Sequence, residues 1–175
     1  MADYYTPTVV EPMIPLSAVS PVEAMFLAQV FDTEMENGLV YYFSEQGAND
    51  LVFFDPGEVR SALGTADQTS SRLVAKLHQE YAEALAGDDE FEVEMAGDLW
   101  PEVLQDIVWR TPDLGELTVT MAFTCSKMRL DGFGGLAMLI TAAAIRSGST
   151  HTLFETFYAE ASANGEISVG TPDQP

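Results

Sequence analysis

Apolar and polar residues alternate most regularly between 117 and 126. There Leu117, Val119, Met121, Phe123 and Cys125 interleave with Thr118, Thr120, Ala122, Thr124 and Ser126. A period of two is that of a half-exposed β-strand, because successive side chains leave opposite faces of the pleat. Asp131-Gly132-Phe133-Gly134-Gly135 follows as a turn, and Leu136–Thr141 pairs back as another strand. Glu90, Glu92 and Glu94 alternate in the same way with Phe91, Val93 and Met95. Leu39-Val40-Tyr41-Tyr42-Phe43 and Leu51-Val52-Phe53-Phe54 are aromatic and β-branched and flank a turn-rich 44–50. They predict a hairpin covered on both faces.

Helical patterns occupy the rest. Ser20-Pro21-Val22-Glu23 is a helix start: Ser20 caps, Pro21 suits the first helical position, and Glu23 closes a capping box. That helix is expected to run to about Glu36, apolar on most sides and therefore in the core. Asp55-Pro56-Gly57-Glu58 repeats the logic for a short helix ending near Gly64. Leu73, Leu77, Tyr81 and Leu85 recur every four residues, predicting a helix from about Ser70 to Ala86. Trp100, Leu104, Ile107 and Val108 mark another from about Leu99 to Arg110. A last one spans roughly Thr150 to Ser162, with Leu153, Phe154, Phe157 and Tyr158 expected inward.

The predicted order is α-β-β-α-α-β-α-β-β-α, an α+β chain whose antiparallel sheet of about five strands is covered by helices. Residues 1–19 hold Pro7, Pro12 and Pro15 among Val9, Val10, Met13, Ile14 and Leu16. Proline at that density prevents a helix, so this is expected to be an extended apolar arm packed on the body or on a second subunit. Residues 20–163 form the single domain, and 164–175 a loose tail.

Composition changes this picture in one respect. Seven Lys and Arg stand against 28 Asp and Glu, a net charge of -21, and the first basic residue is Arg60. Nucleic acid and anionic membrane are repelled; basic protein surfaces and cations are attracted. Adaptation to a salt-rich host is the bland explanation of the same excess. The hydrophobic fraction of 47% supports a real core rather than a disordered acidic tail. A lone Cys125 excludes an intramolecular disulfide and a Cys-based zinc site. The first residues lack the basic and apolar regions of a secretory signal, and the run Gly134–Ile145 is too short for a bilayer, so a cytoplasmic location is expected.

Catalytic signatures do not survive inspection. Gly132-x-Gly134-x-x-Ala137 formally matches a dinucleotide fingerprint, but that chemistry needs a strand opening into a helix, and a hairpin turn explains the glycines. His78 and His151 lack a second histidine at ligand spacing, and no Gly-x-Ser-x-Gly elbow supplies a nucleophile. Asp88-Asp89-Glu90 lacks the pattern of a calcium loop. No catalytic residue, cofactor or metal is therefore assigned.

Leu77 to Trp109 holds ten carboxylates and no Lys or Arg. On a helical wheel, Trp109 falls opposite Trp100, between Glu102, Gln105 and Asp106. A tryptophan among carboxylates resembles the anchor of an interface, so Trp109, Glu102, Asp106, Glu90, Glu92 and Glu94 are the candidate partner-binding residues. The plainer reading covers Trp109 with the following loop, 111–115. A third reading is imitation of DNA. Duplex carries a charge every ~1.7 Å, so about 40 Å bears roughly 24 charges, close to the charge here.

Tyr4-Tyr5-Thr6-Pro7-Thr8-Val9-Val10, Ala122-Phe123-Thr124-Cys125-Ser126-Lys127-Met128 and Asp131-Gly132-Phe133-Gly134-Gly135 resemble segments of a family of uncharacterised small acidic bacterial proteins associated with mobile elements. The resemblance implies a bacterial cytosol and slightly favours mimicry; it transfers no site residue. The expected function is a non-enzymatic acidic interaction module that docks a basic protein. The alternatives are a DNA-mimic inhibitor of a nucleic-acid-binding protein and an enzyme of unrecognised type. Homodimerisation is expected through residues 7–16 or an edge of the aromatic hairpin.

Overall fold

The computed structural model describes residues 2–64, 71–94, 99–129 and 131–167. In chain order the elements are β1 (Tyr4–Tyr5), β2 (Thr8–Glu11), β3 (Ile14–Pro15), α1 (Pro21–Val30), β4 (Asp32–Glu36), β5 (Leu39–Ser44) and β6 (Leu51–Phe54). Then come α2 (Pro56–Leu63), α3 (Arg72–Glu80), α4 (Ala82–Ala86), β7 (Phe91–Glu94) and α5 (Leu99–Arg110). The chain ends on β8 (Glu116–Cys125), β9 (Gly134–Thr141), β10 (Ile145–Ser149) and α6 (Thr150–Ala163).

The fold is α+β, with every strand pair antiparallel, but the main sheet has eight strands rather than about five. Its order is β10-β9-β8-β2-β5-β3, with β1 on β8 and β4 on β5. β3 and β4 both pair with Leu39 and Val40, so they flank β5 on opposite sides. β8 and β9 form the predicted pair, with Leu117 opposite Ile140 and Val119 opposite Met138.

Three segments account for the extra strands. The expected arm is woven into the body: β2 lies between β8 and β5, and Val10 and Ile14 are buried in the chain's own core. Its prolines sit at strand ends, where a missing N–H costs little. The first helix stops at Val30 rather than Glu36, and 32–36 is β4. The reason is Asn37-Gly38, both with positive φ (51° and 80°), the two-residue hairpin turn that suits strand twist. β10 is the third. It is polar and belongs to an edge, so it carries no apolar alternation.

The hairpin expected between 39–43 and 51–54 does not form. The Asn-Gly turn commits β5 to β4, while β6 pairs with β7 in a separate two-stranded sheet. Gln29 anchors β6 to the end of α1: its side-chain amide donates to Phe53 O (2.6 Å) and accepts from Phe53 N (2.9 Å). The helix expected over 70–86 is broken at Tyr81, whose ring packs on Phe91. Ser70, Met95 and the tail from 168 onward lie outside the described residues.

α1 and α5 cover the sheet face that carries Val10, Val40, Tyr42, Leu117, Val119 and Ile140, and α2 and α3 pack on those two helices. Trp100 meets Phe31 edge-on at 5.3 Å in this core. The opposite face is open: Thr118, Thr120 and Ala122 of β8 are exposed, as are Ala137 and Leu139 of β9. α6 is also open. Leu153, Phe154, Phe157 and Tyr158, expected inward, are 51–65% exposed.

Trp100→Ala should destabilise the fold by about 3–5 kcal/mol, the loss of a packed core aromatic. Trp109→Ala, at a site 60% exposed, should cost no more than about 0.5 kcal/mol. Chemical denaturation of both variants checks this; equal, large losses would refute the placement of Trp109 at the surface.

Candidate functional site

The acidic face predicted on α5 is partly neutralised from within. Arg72, the first residue of α3, donates from Nε to Asp106 Oδ1 at 2.9 Å and from its backbone N to Oδ2 at 2.7 Å. Asp106 thereby caps α3, whose own Ser71 makes no side-chain cap bond. The same guanidinium donates to Glu102 O and Gln105 Oε1 and lies 3.5 Å from Glu102 Oε1. Asp106 is buried by this role.

The other candidates sit elsewhere. Trp109 is exposed near the end of α5, about 15 Å along the axis from Leu99. Glu90 and Glu92 are exposed, and on β7 Glu92 lies opposite Phe53 and Glu94 opposite Leu51. The structure thus gathers Glu102 and Asp106 around Arg72. It sets Glu92 and Glu94 on the small sheet and Glu90 just before it, with Glu92 opposite a different aromatic, Phe53.

A second cluster is internal. Glu23, fully buried, accepts from Arg110 Nη2 at 2.6 Å and, through the same Oε2, from Ser20 N at 3.1 Å. Its Oε1 has no hydrogen-bond partner among the described residues. Glu23 lies in the first turn of α1 and Arg110 in the last turn of α5, so each charge also meets the favourable end of its helix dipole. Burial, and secondarily the Glu23 charge, push the Tyr42 hydroxyl up to about 12. This cluster, with Glu23 buried and Arg110 half-buried, joins the start of α1 to the end of α5.

The concentration of unpaired charge that sequence reasoning missed lies on the β4–β5 hairpin. Asp32 stands opposite Phe43, Glu34 opposite Tyr41, and Glu36 opposite Leu39. Directly opposed residues share a face, and Phe43 shares its face with Val9, Thr120 and Ala137 through the register. All belong to the open side of the sheet. Tyr41 and Phe43 stack there at 5.1 Å between centroids, with rings 19° from parallel. Asp32, Glu34 and Glu36 are exposed, and none has an ion-pair partner among the described residues. Alternate residues on a strand repeat about every 6.8 Å, so the row spans about 14 Å. Its signal was present in the sequence: acids alternating through Thr33 and Met35, closed by Asn37-Gly38.

Other features are chemically plainer. A cleft of about 550 Å³ beside α6 is lined by Thr120, Leu136, Ala137, Thr152, Leu153 and Thr156. Gly134 begins a strand, not a helix, which removes the dinucleotide reading. Cys125 is half-buried at the end of β8, opposite Tyr4. Among the described residues no group of three or more His, Cys, Asp or Glu could hold a metal ion, and no helix is long and apolar enough to cross a membrane. Compared with known proteins, the chain matches no family model, no curated protein and no solved structure.

The raised Tyr42 value makes stability pH-dependent. The fold keeps a proton that the unfolded chain loses near pH 10, so stability is unaffected below that and falls as pH rises from 10 toward 12. Relative to Tyr42→Phe, which has no ionisable hydroxyl, the native chain should lose up to about 1.4 kcal/mol per pH unit in that window. Urea midpoints of both proteins at pH 9, 10 and 11 test it; parallel curves would contradict it.

Proposed function

We propose that this chain is a non-enzymatic acidic module that docks an extended basic protein segment along β4. The observation that carries the reading is the row Asp32, Glu34, Glu36, without ion-pair partners among the described residues and in register with the Tyr41–Phe43 stack. β4 is a sheet edge, so its outward N–H and C=O groups are available for an added strand. A segment with Lys or Arg at alternate positions repeats at the same ~6.8 Å as the carboxylates. Its aliphatic stems and cationic heads would lie over the aromatic pair, where a guanidinium is attracted to the ring face. The net charge of -21 steers such a partner from a distance.

DNA mimicry fits this arrangement less well. A duplex presents about eight phosphate charges over 14 Å, and the row presents three carboxylates on one line. Trp109 belongs to α5, on the far side of the sheet from this row.

The test is binding of a twelve-residue peptide with arginine at alternate positions, measured calorimetrically at 50 and 500 mM salt. Exposed pairs contribute about 0.2–1 kcal/mol each, so the triple variant Asp32→Asn, Glu34→Gln, Glu36→Gln should weaken binding about tenfold. The control Glu90→Gln, Glu92→Gln should have little effect, and 500 mM salt should abolish most of the affinity. Equal weakening by both variants would reduce the effect to net charge. Loss on Trp109→Ala instead would move the docking face to α5.

A further inference from the structure

We propose that two copies of this chain associate through α6 and the free edge of β10, a surface separate from the docking row on β4. The first observation is the direction of α6. Thr152, Leu153 and Thr156 line the cleft against the sheet. On a wheel of 100° per residue, Phe154 and Tyr158 then point away from the body, with Phe157 on the flank beside them. Ser149 and Thr152 close a reciprocal capping box, so the helix is well started although it buries no residue. An amphipathic helix stabilised by so little of its own chain is completed by something else.

The second observation is the contrast between the two sheet edges. β4 bears Asp32, Glu34 and Glu36, and inward or edge charge is the standard protection against pairing with another copy. β10 reads Ile-Arg-Ser-Gly-Ser, pairs among the described residues with β9 alone, and carries no carboxylate. Its Arg146 has no acidic partner among the described residues.

Charge selects the occupant. A basic partner is steered to carboxylates, and the aromatic stripe itself has none; Glu155, 3.3 Å from His151, and Glu160 lie on its flanks. A second copy at -21 is repelled by most of this surface and least by the stripe and β10. Size decides that both elements take part. The α6 stripe is about 21 Å long and roughly 10 Å wide, well short of the ~800 Å² per partner of a stable interface. Antiparallel pairing of β10 with its copy, centred on Ser147, uses all five residues and sets Arg146 opposite Gly148. A side chain on Gly148 would meet nothing within 4 Å, so the space is open.

Sedimentation of the full chain at 50 and 500 mM salt tests this. The expected result is a species of twice the 19.0 kDa chain mass, favoured by high salt because salt screens the repulsion between copies. Phe157→Glu should raise the dimer dissociation constant at least about 30-fold, the scale of an interface hot spot. Met35→Glu, the same charge added at the other edge, should leave it unchanged. Circular dichroism confirms folding, and Tyr158→Glu, at a still more exposed position, repeats the test if Phe157→Glu unfolds. A monomer at both salt concentrations would overturn the proposal. So would a dimer indifferent to Phe157→Glu, one weakened equally by Met35→Glu, or loss of the arginine peptide rather than of self-association.

Discussion

The ion pair between Glu23 and Arg110 is the constraint on which the helical layer depends. It fixes the start of α1 to the end of α5, the two helices that cover the sheet. A fully buried carboxylate is tolerable only when paired, and removing one partner of such a pair costs about 3–5 kcal/mol. Glu23 also closes the capping box of α1, so the same atoms set where the helix begins and what it packs against. The chain has very few cations, and three of its five arginines make joints of this kind. Arg110 serves Glu23, Arg72 joins α3 to α5 through Asp106, and Arg60 donates to the carbonyls of Leu85 and Gly87. With these three arginines engaged, most outer carboxylates lack an ion-pair partner among the described residues, Asp88, Glu80, Glu102 and Glu155 being exceptions.

What was legible in the sequence was what local chemistry decides. Ser20-Pro21-Val22-Glu23 makes the cap it promises, Asp55 accepts from Glu58 N, and the alternation at 117–125 is a strand in the middle of the sheet. Residues 99–110 form a helix that buries Trp100 and exposes Trp109. The failures came where tertiary pairing overrides periodicity. Asp32–Glu36 lies at the edge and is exposed throughout, so it offers no apolar alternation, although Asn37-Gly38 marked the turn. Proline density excluded helix at 7–15 without showing that the segment between Pro7 and Pro12 sits between two strands. The predicted docking residues show a different limit. Spacing on a wheel placed Glu102 and Asp106 beside Trp109, but Arg72, some thirty residues away, claims both. Long-range neutralisation of that kind is invisible to a one-dimensional pattern.

α6 carries the sharpest lesson about apolar stripes. Leu153, Phe154, Phe157 and Tyr158 have the spacing of a core helix, and a core helix is what such spacing ordinarily means. Here the sheet offers Thr120 and Ala137 toward α6, and the helix answers with Thr152 and Thr156. Periodicity identifies a face that avoids water; it does not identify which molecule removes it from water.

The two proposed surfaces are geometrically coupled through the strand order. From β4 to β10 the sheet runs β4-β5-β2-β8-β9-β10, five strand spacings or about 24 Å. Joining two copies at β10 leaves both β4 edges at the extremes of one continuous sheet, about 53 Å apart along the strand-to-strand direction. Each edge would keep its carboxylate row, and the aromatic pairs would lie on the same side of the combined sheet. Such an assembly suits a partner that carries two basic segments, because the second contact becomes intramolecular and its effective concentration replaces bulk concentration. A linker shorter than the separation between the rows gains nothing. In such an assembly the spacing of the two edges would select among basic partners that a single acidic surface would not distinguish.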